Sequence, residues 1–159
     1  MARRWQLLLA GAVLLAAVAV IVAIRGGDDA SPSVKDYQAS VVNTRDRVDF
    51  ALGQLPEARS EDDFLARLDE AGSLIKEAAD DFDDAGSPTR FEDASEELVR
   101  HLRQLSADVR GTAAQVRDIG FDKLLAGASG LNFPSWDKAN ATLAELREQG
   151  VDVKPIGRH

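Results

Sequence analysis

Cysteine is absent from the 159 residues of this chain, and its absence excludes several classes of protein at once. No disulfide framework can form, no thiolate can bind zinc, and the cysteine that carries the lipid of a lipoprotein is missing. A folded domain in this chain must therefore depend on a packed hydrophobic core for its stability.

Histidine is almost as scarce, with His101 inside the chain and His159 at its end. Di-iron sites in helical bundles use paired Glu-x-x-His motifs, whereas Glu97 stands four residues before His101 and no second copy follows. Zinc sites likewise need several histidines or cysteines. We therefore predict no metal site, and we expect His101 to be either hydrogen-bonded within the fold or exposed to solvent.

Other sets of catalytic residues are also missing from the sequence. Residues 127–130 are glycine-rich but lack the lysine and the preceding strand of a phosphate-binding loop. Four serines in predicted helices have no evident histidine partner that could activate them. These are Ser40, Ser73, Ser95 and Ser106. We predict no catalytic residue and no cofactor, and hence a protein that is not an enzyme.

Acidic residues outnumber basic residues in the part of the chain after Arg25. Three of the 19 basic residues lie at or before Arg25, so 16 remain after it against all 27 acidic residues, a net charge of −11. Such a charge balance repels phosphate backbones and anionic lipid headgroups. The sequence therefore argues against nucleic-acid binding, and any partner is expected to be neutral, basic or bridged by cations.

The most informative segment present is the apolar run Leu7 to Ile24, with 18 consecutive residues that carry no charged or polar side chain. A helix of this length measures about 27 Å, close to the hydrocarbon thickness of a bilayer. The run exceeds the roughly 7–15 apolar residues of a signal peptide. We therefore predict a retained signal anchor over residues 1–25, with cleavage and secretion as the alternative.

The charges that flank this run predict its orientation. Arg3 and Arg4 precede it and Arg25 alone follows it. Because positively charged flanks stay on the cytoplasmic side, we expect the N-terminus inside and the bulk of the chain outside a bacterial cytoplasmic membrane. Residues 26–33 then form a polar linker.

Capping signals and apolar spacing divide the rest of the chain into helices. Ser33, Ser60 and Thr89 each stand three positions before an acidic residue, the pattern of a helix N-terminal cap. The helices that follow are predicted to end near residues 55, 85 and 119. The second has the clearest heptad seam, of the kind found in coiled coils. Its residues are Phe64, Leu68, Ala71, Ile75, Ala78, Phe82 and Ala85.

Shorter elements complete the prediction. A brief helix is expected over residues 121–125, and a last helix from near Ser135 to Gly150. Residues 151–159 are predicted to be an irregular tail with little that packs. Long helices joined by short loops must pack antiparallel. The predicted fold class is all-α: a single transmembrane helix followed by an extracytoplasmic up-down bundle of three long helices and a shorter fourth, over residues 34–150.

An acidic cluster surrounds Phe82 near the predicted end of the second helix, where the helix dipole disfavours anions. Its members are Asp80, Asp81, Asp83 and Asp84. The cluster lacks the ligand spacing of a calcium loop. Two interpretations stay open: a solvated acidic face, or contact with a cation or a basic partner.

The last helix begins among aromatic residues. Phe133 and Trp136 either close one end of the core or present Trp136 to a ligand. Asn140, one turn further on, is expected near the seam, where a buried hydrogen bond could fix the helix register.

The function expected from these features is a non-enzymatic interaction or scaffold module of the bacterial envelope. It would contact the bilayer through Leu7 to Ile24 and associate with a protein partner or with itself; no small-molecule substrate is identified. The alternative is a ligand-binding or sensory ectodomain near Trp136 that works with a partner membrane protein.

Overall fold

A computed structural model describes residues 31–120 and 133–157. These residues contain four α-helices and no strand, which confirms the all-helical prediction for this part of the chain. The predicted helix over residues 121–125 lies outside the described residues. The helices are α1 (Val34–Gly53), α2 (Glu61–Ala85), α3 (Glu92–Ile119) and α4 (Pro134–Glu148), with a 3-10 turn at Thr89–Phe91 before α3.

The predicted membrane anchor, Leu7 to Ile24, also lies outside the described residues. Within residues 31–120 and 133–157, no helix combines the length and the apolar character that a membrane crossing requires.

Two of the three predicted helix caps are confirmed. The Ser33 hydroxyl accepts a hydrogen bond from the amide of Asp36, and the Ser60 hydroxyl accepts one from Asp63, each at 3.2 Å. Each bond satisfies one of the amide groups that the first turn of a helix leaves without a partner.

The third predicted cap, at Thr89, is wrong. The chain passes through the 3-10 turn Thr89–Phe91, and α3 begins at Glu92 without a side-chain cap. The Phe91 ring is 1% exposed and stacks on Tyr37, with 4.7 Å between ring centroids. Because burying this ring fixes the backbone at residue 91, tertiary packing decides where the helix begins.

Successive helices pack antiparallel, as the side-chain pairs between them demonstrate. Tyr37 near the start of α1 lies beside Phe82 near the end of α2, while Arg67 early in α2 donates to the carbonyl of Gln54, just after α1. In the same way Ser135 at the start of α4 donates to Asp108, well along α3. These contacts confirm the helical bundle.

The core follows the predicted seams closely. On α2, every seam residue from Phe64 to Phe82 is buried, and only the last, Ala85, is exposed. The apolar side chains along one face of α4 are buried as well. They are Trp136, Ala139, Leu143 and Leu146.

The end of α4 sets the direction of the residues that follow. Gly150 has a φ of +98°, its amide donates to Arg147, and the Val151 amide donates to Leu146, each at 3.0 Å. This hydrogen-bond pair is a Schellman motif, in which a left-handed glycine ends the helix and the next apolar residue packs back on it. Val151 and Leu146 are both buried, so the chain turns back onto the bundle.

Candidate functional site

The segment after α4, residues 151–157, is irregular as predicted but packs against the bundle. The prediction that little in this tail packs is wrong, because Val151, Val153 and Ile156 are only 1%, 4% and 2% exposed. We call residues 151–157 the strap. These three apolar side chains are buried, although the strap has no helix or strand hydrogen-bond pattern.

One side of the strap is held by α1. The Arg45 guanidinium donates to the Pro155 carbonyl through Nε at 2.9 Å and through Nη2 at 2.6 Å. One turn further on, Asp49 Oδ1 accepts a hydrogen bond from the Gly157 amide at 2.6 Å. Both contacts are made to main-chain atoms of the strap.

The other side is held by α4, again through the main chain. The Asn140 amide group donates from Nδ2 to the Ile156 carbonyl at 3.1 Å and accepts from the Ile156 amide at Oδ1, at 2.7 Å. The Trp136 indole donates to the same carbonyl at 3.4 Å. Asn140 is half-buried and hydrogen-bonded, but its partner is the strap main chain, so the predicted role in fixing helix register is wrong.

These contacts define the course of the strap. It runs parallel to α1, because Arg45 meets Pro155 and Asp49 meets Gly157. Four helical residues rise about 6 Å and two extended residues about 6.6 Å, so the spacings match. The strap thus lies in a groove lined by α1 and α4, which we call the strap groove.

Phe133 and Trp136 serve the core. Each is 6% exposed, and their ring centroids are 6.3 Å apart. The interpretation in which they close one end of the core is confirmed. Trp136 is directed into the bundle and to the strap carbonyl, and it is not presented to solvent.

His101 is hydrogen-bonded within the fold, as predicted. Its Nδ1 lies 3.2 Å from Thr142 Oγ1 on α4, and the side chain is partly buried. Burial lowers the pKa of His101 below its usual value, and the nearby Arg100 charge acts in the same direction. The neutral imidazole is therefore favoured, which suits a contact between helices.

Three of the four serines considered as nucleophiles donate to backbone carbonyls. Ser73 donates to Asp69, Ser95 to Phe91 and Ser106 to Gly72, at 2.9, 2.7 and 2.5 Å. Throughout the described ranges, every fully buried side-chain nitrogen or oxygen has a hydrogen-bond partner. These hydroxyls connect turns and helices of the fold.

The acidic cluster at the end of α2 is divided between two neighbouring helices. Arg103 of α3 lies 2.8 Å from both Asp80 and Asp83, whereas Arg47 of α1 lies 2.6 Å from Asp81. Hydrogen bonds from Lys76 and then Arg103 lower the pKa of Asp80. In the part of the chain that the structure describes, no three acidic or histidine side chains converge to hold a metal ion.

Two buried contacts escaped prediction from the sequence. Tyr37 Oη lies 2.7 Å from Ser95 Oγ, and burial raises the pKa of this tyrosine. Gly72 lets the Arg110 side chain cross α2, because a Cβ at residue 72 would lie 2.5 Å from Arg110 Cγ. A glycine next to the seam residue Ala71 was the available signal for the second contact.

Comparison with known proteins identifies no relative: no family model, no curated protein and no solved structure matches this chain.

Proposed function

We propose that this chain is a non-enzymatic interaction or scaffold module, held by Leu7 to Ile24 at the outer face of a bacterial cytoplasmic membrane. The observation that carries the proposal is how the fold uses its reactive side chains. His101 bonds Thr142 across two helices, and the hydroxyls of Ser73, Ser95 and Ser106 bond backbone carbonyls. Side chains employed in this way hold helices together and are poorly placed to attack a substrate.

One exposed feature supports an interaction role. Phe50 on α1 is 62% exposed and points away from the buried face formed by Val48, Ala51 and Leu52. We assign the Phe50 ring, the more exposed of two large apolar side chains at the surface of the described residues, as the contact point for a partner. The burial of Trp136 favours this role over a ligand-binding or sensory ectodomain, which would need that indole at the ligand.

Site-specific photocrosslinking in native membranes tests the proposal. A photoreactive phenylalanine analogue replaces Phe50 in the full-length protein, and the same analogue replaces the exposed Glu96 of α3 as the control. A defined protein adduct from position 50 that is missing from position 96 is expected. Equal labelling from both positions, or none from either, would contradict the proposal for this face.

Reporter fusions after His159 test the location separately. A phosphatase that folds only outside the cytoplasm should be active there, and a reporter that fluoresces only inside should be dark. A mature N-terminus found beyond Ile24 would show that the segment is cleaved, and the membrane tether would then be withdrawn from the proposal.

A further inference from the structure

The strap groove recognises main-chain atoms. Six hydrogen bonds from side chains of α1 and α4 reach the Pro155 carbonyl, both polar groups of Ile156 and the Gly157 amide. Main-chain recognition of an extended segment, with pockets for alternate apolar side chains, is how many proteins bind peptides. The groove combines main-chain contacts with buried apolar side chains in the same way, and residues 151–157 of the same chain occupy it.

The strap is connected to the bundle by one turn. Gly150 is the junction, and its φ of +98° is a conformation that residues with a side chain rarely adopt. The strap has no helix or strand hydrogen-bond pattern, so releasing it requires rotation about the Gly150 backbone and loss of the Val151–Leu146 hydrogen bond, but no unfolding of α4. The strap can therefore leave the groove as a unit.

We infer that the strap groove accepts the strap of a second copy of this chain, so that two copies exchange residues 151–157. The inference names a partner for the interaction module and rests on that proposed function. The second copy is the favoured occupant because its strap offers the same apolar spacing and main-chain groups that fill the groove now. Reciprocal exchange closes a symmetric dimer and leaves neither groove empty.

Two terms decide between a chain's own strap and that of a second copy. The groove contacts are identical in both states, so they cancel. What differs is the strain of the Gly150 turn and the local concentration of copies, which tethering to one membrane raises. A perturbation of Gly150 therefore shifts the exchange, whereas a weakened groove contact affects both states alike.

The absence of native cysteine allows a direct test in the full-length protein. One tagged copy carries Asp49→Cys in the groove, and a differently tagged copy carries Gly157→Cys in the strap. Both are expressed together, and their membranes are treated with a short thiol–thiol crosslinker. The native partners at these positions are 2.6 Å apart, so exchanged copies should give a crosslinked heterodimer.

Two control crosslinking pairs accompany the pair at positions 49 and 157. A single chain that carries both cysteines should crosslink within itself; if it does not, the strap is absent from the groove and the inference fails. A second strap copy with Asp152→Cys places the thiol five residues away on the same segment. Heterodimer from the 49–157 pair above that from the 49–152 pair supports exchange, and equal or lower yield overturns it.

A hinge variant provides the quantitative test. Gly150→Val strains the closed turn, and the left-handed penalty predicts a rise in heterodimer relative to intrachain product on the order of tenfold. Gly111→Val introduces the same side chain into open space on α3, and it should leave the ratio unchanged. A Gly150 variant with no rise over wild type would overturn the inference. Phe50 lies outside the strap groove. The photocrosslink at Phe50, which tests the proposed function, and the cysteine crosslink at the strap, which tests the exchange, can therefore fail independently.

Discussion

The buried hydrogen bond between Tyr37 and Ser95 allows a prediction about stability, which substitutions at Tyr37 can test. Tyr37 is the only tyrosine of the chain, and its ring packs between Phe82 and Phe91. Ser95 has a single hydroxyl proton, which it donates to the Phe91 carbonyl at 2.7 Å. Tyr37 must therefore be the donor to Ser95. Tyr37→Phe removes this one hydrogen bond and keeps the ring.

The expected loss of unfolding free energy is about 0.5–1.5 kcal/mol. It stays small because Ser95 keeps its bond to Phe91 and the ring stacking is preserved. Tyr37→Ala removes the ring as well and is expected to cost about 3–5 kcal/mol, as for other large core aromatics. Urea unfolding of the full-length protein in micelles, followed by tryptophan fluorescence, measures both variants.

Tyr37 also makes the free energy of unfolding depend on pH. Burial raises the pKa of Tyr37 above its usual 10.0, so the folded state keeps the phenolic proton to higher pH than the unfolded state. The resulting stability is fully present below about pH 10 and is lost as the pH rises through the folded pKa. Tyrosinate absorbance of the folded protein should therefore titrate above that of the denatured chain. Identical midpoints, or a Tyr37→Phe variant as stable as wild type, would refute the reasoning.

Three further predictions follow from particular contacts. Gly72→Ala should gain about 1 kcal/mol of helix propensity only when Arg110→Ala clears the space above it, so a double-mutant cycle in urea should be clearly non-additive. His101 has a lowered folded pKa, so the unfolded chain takes up its proton first and stability should fall below about pH 6.5; His101→Gln should reduce that fall in thermal unfolding. Phe50→Ser should change the free energy of unfolding in urea by no more than about 0.5 kcal/mol, because the ring is 62% exposed. A larger loss would show that the ring packs against the bundle.

The helices and most of the core could be predicted from the sequence because their signals are local. A heptad seam such as that from Phe64 to Phe82 repeats every turn, and glycine with a following apolar residue marks the end of α4. The capping prediction at Thr89 failed because the contact that decides the helix start is not local. A capping pattern of four residues was overridden by the burial of Phe91 against Tyr37, a partner more than fifty residues away.

The strap could not be predicted because its order depends on a groove formed by distant helices. Val151, Val153 and Ile156 lack helical periodicity, and Pro155 favours an irregular segment. Their apolar spacing after a helix-stopping glycine was the one available signal. Asn140 was recognised as a residue near the seam, but the sequence gives no indication that its partner is the main chain sixteen residues later.

The energetics of the strap explain why its closure can be reversible although its side chains are buried. Three apolar side chains contribute about 5–9 kcal/mol at typical burial values, and six main-chain hydrogen bonds at about 1 kcal/mol each add about 6. Ordering seven residues costs about 7–14 kcal/mol of backbone entropy. The opposing terms agree to within a few kcal/mol, so strap closure is marginal while the helical core is not. Marginal closure lets the strap leave its groove, and because the groove contacts are the same for a chain's own strap and an exchanged one, the Gly150 turn then helps to decide which groove the strap enters.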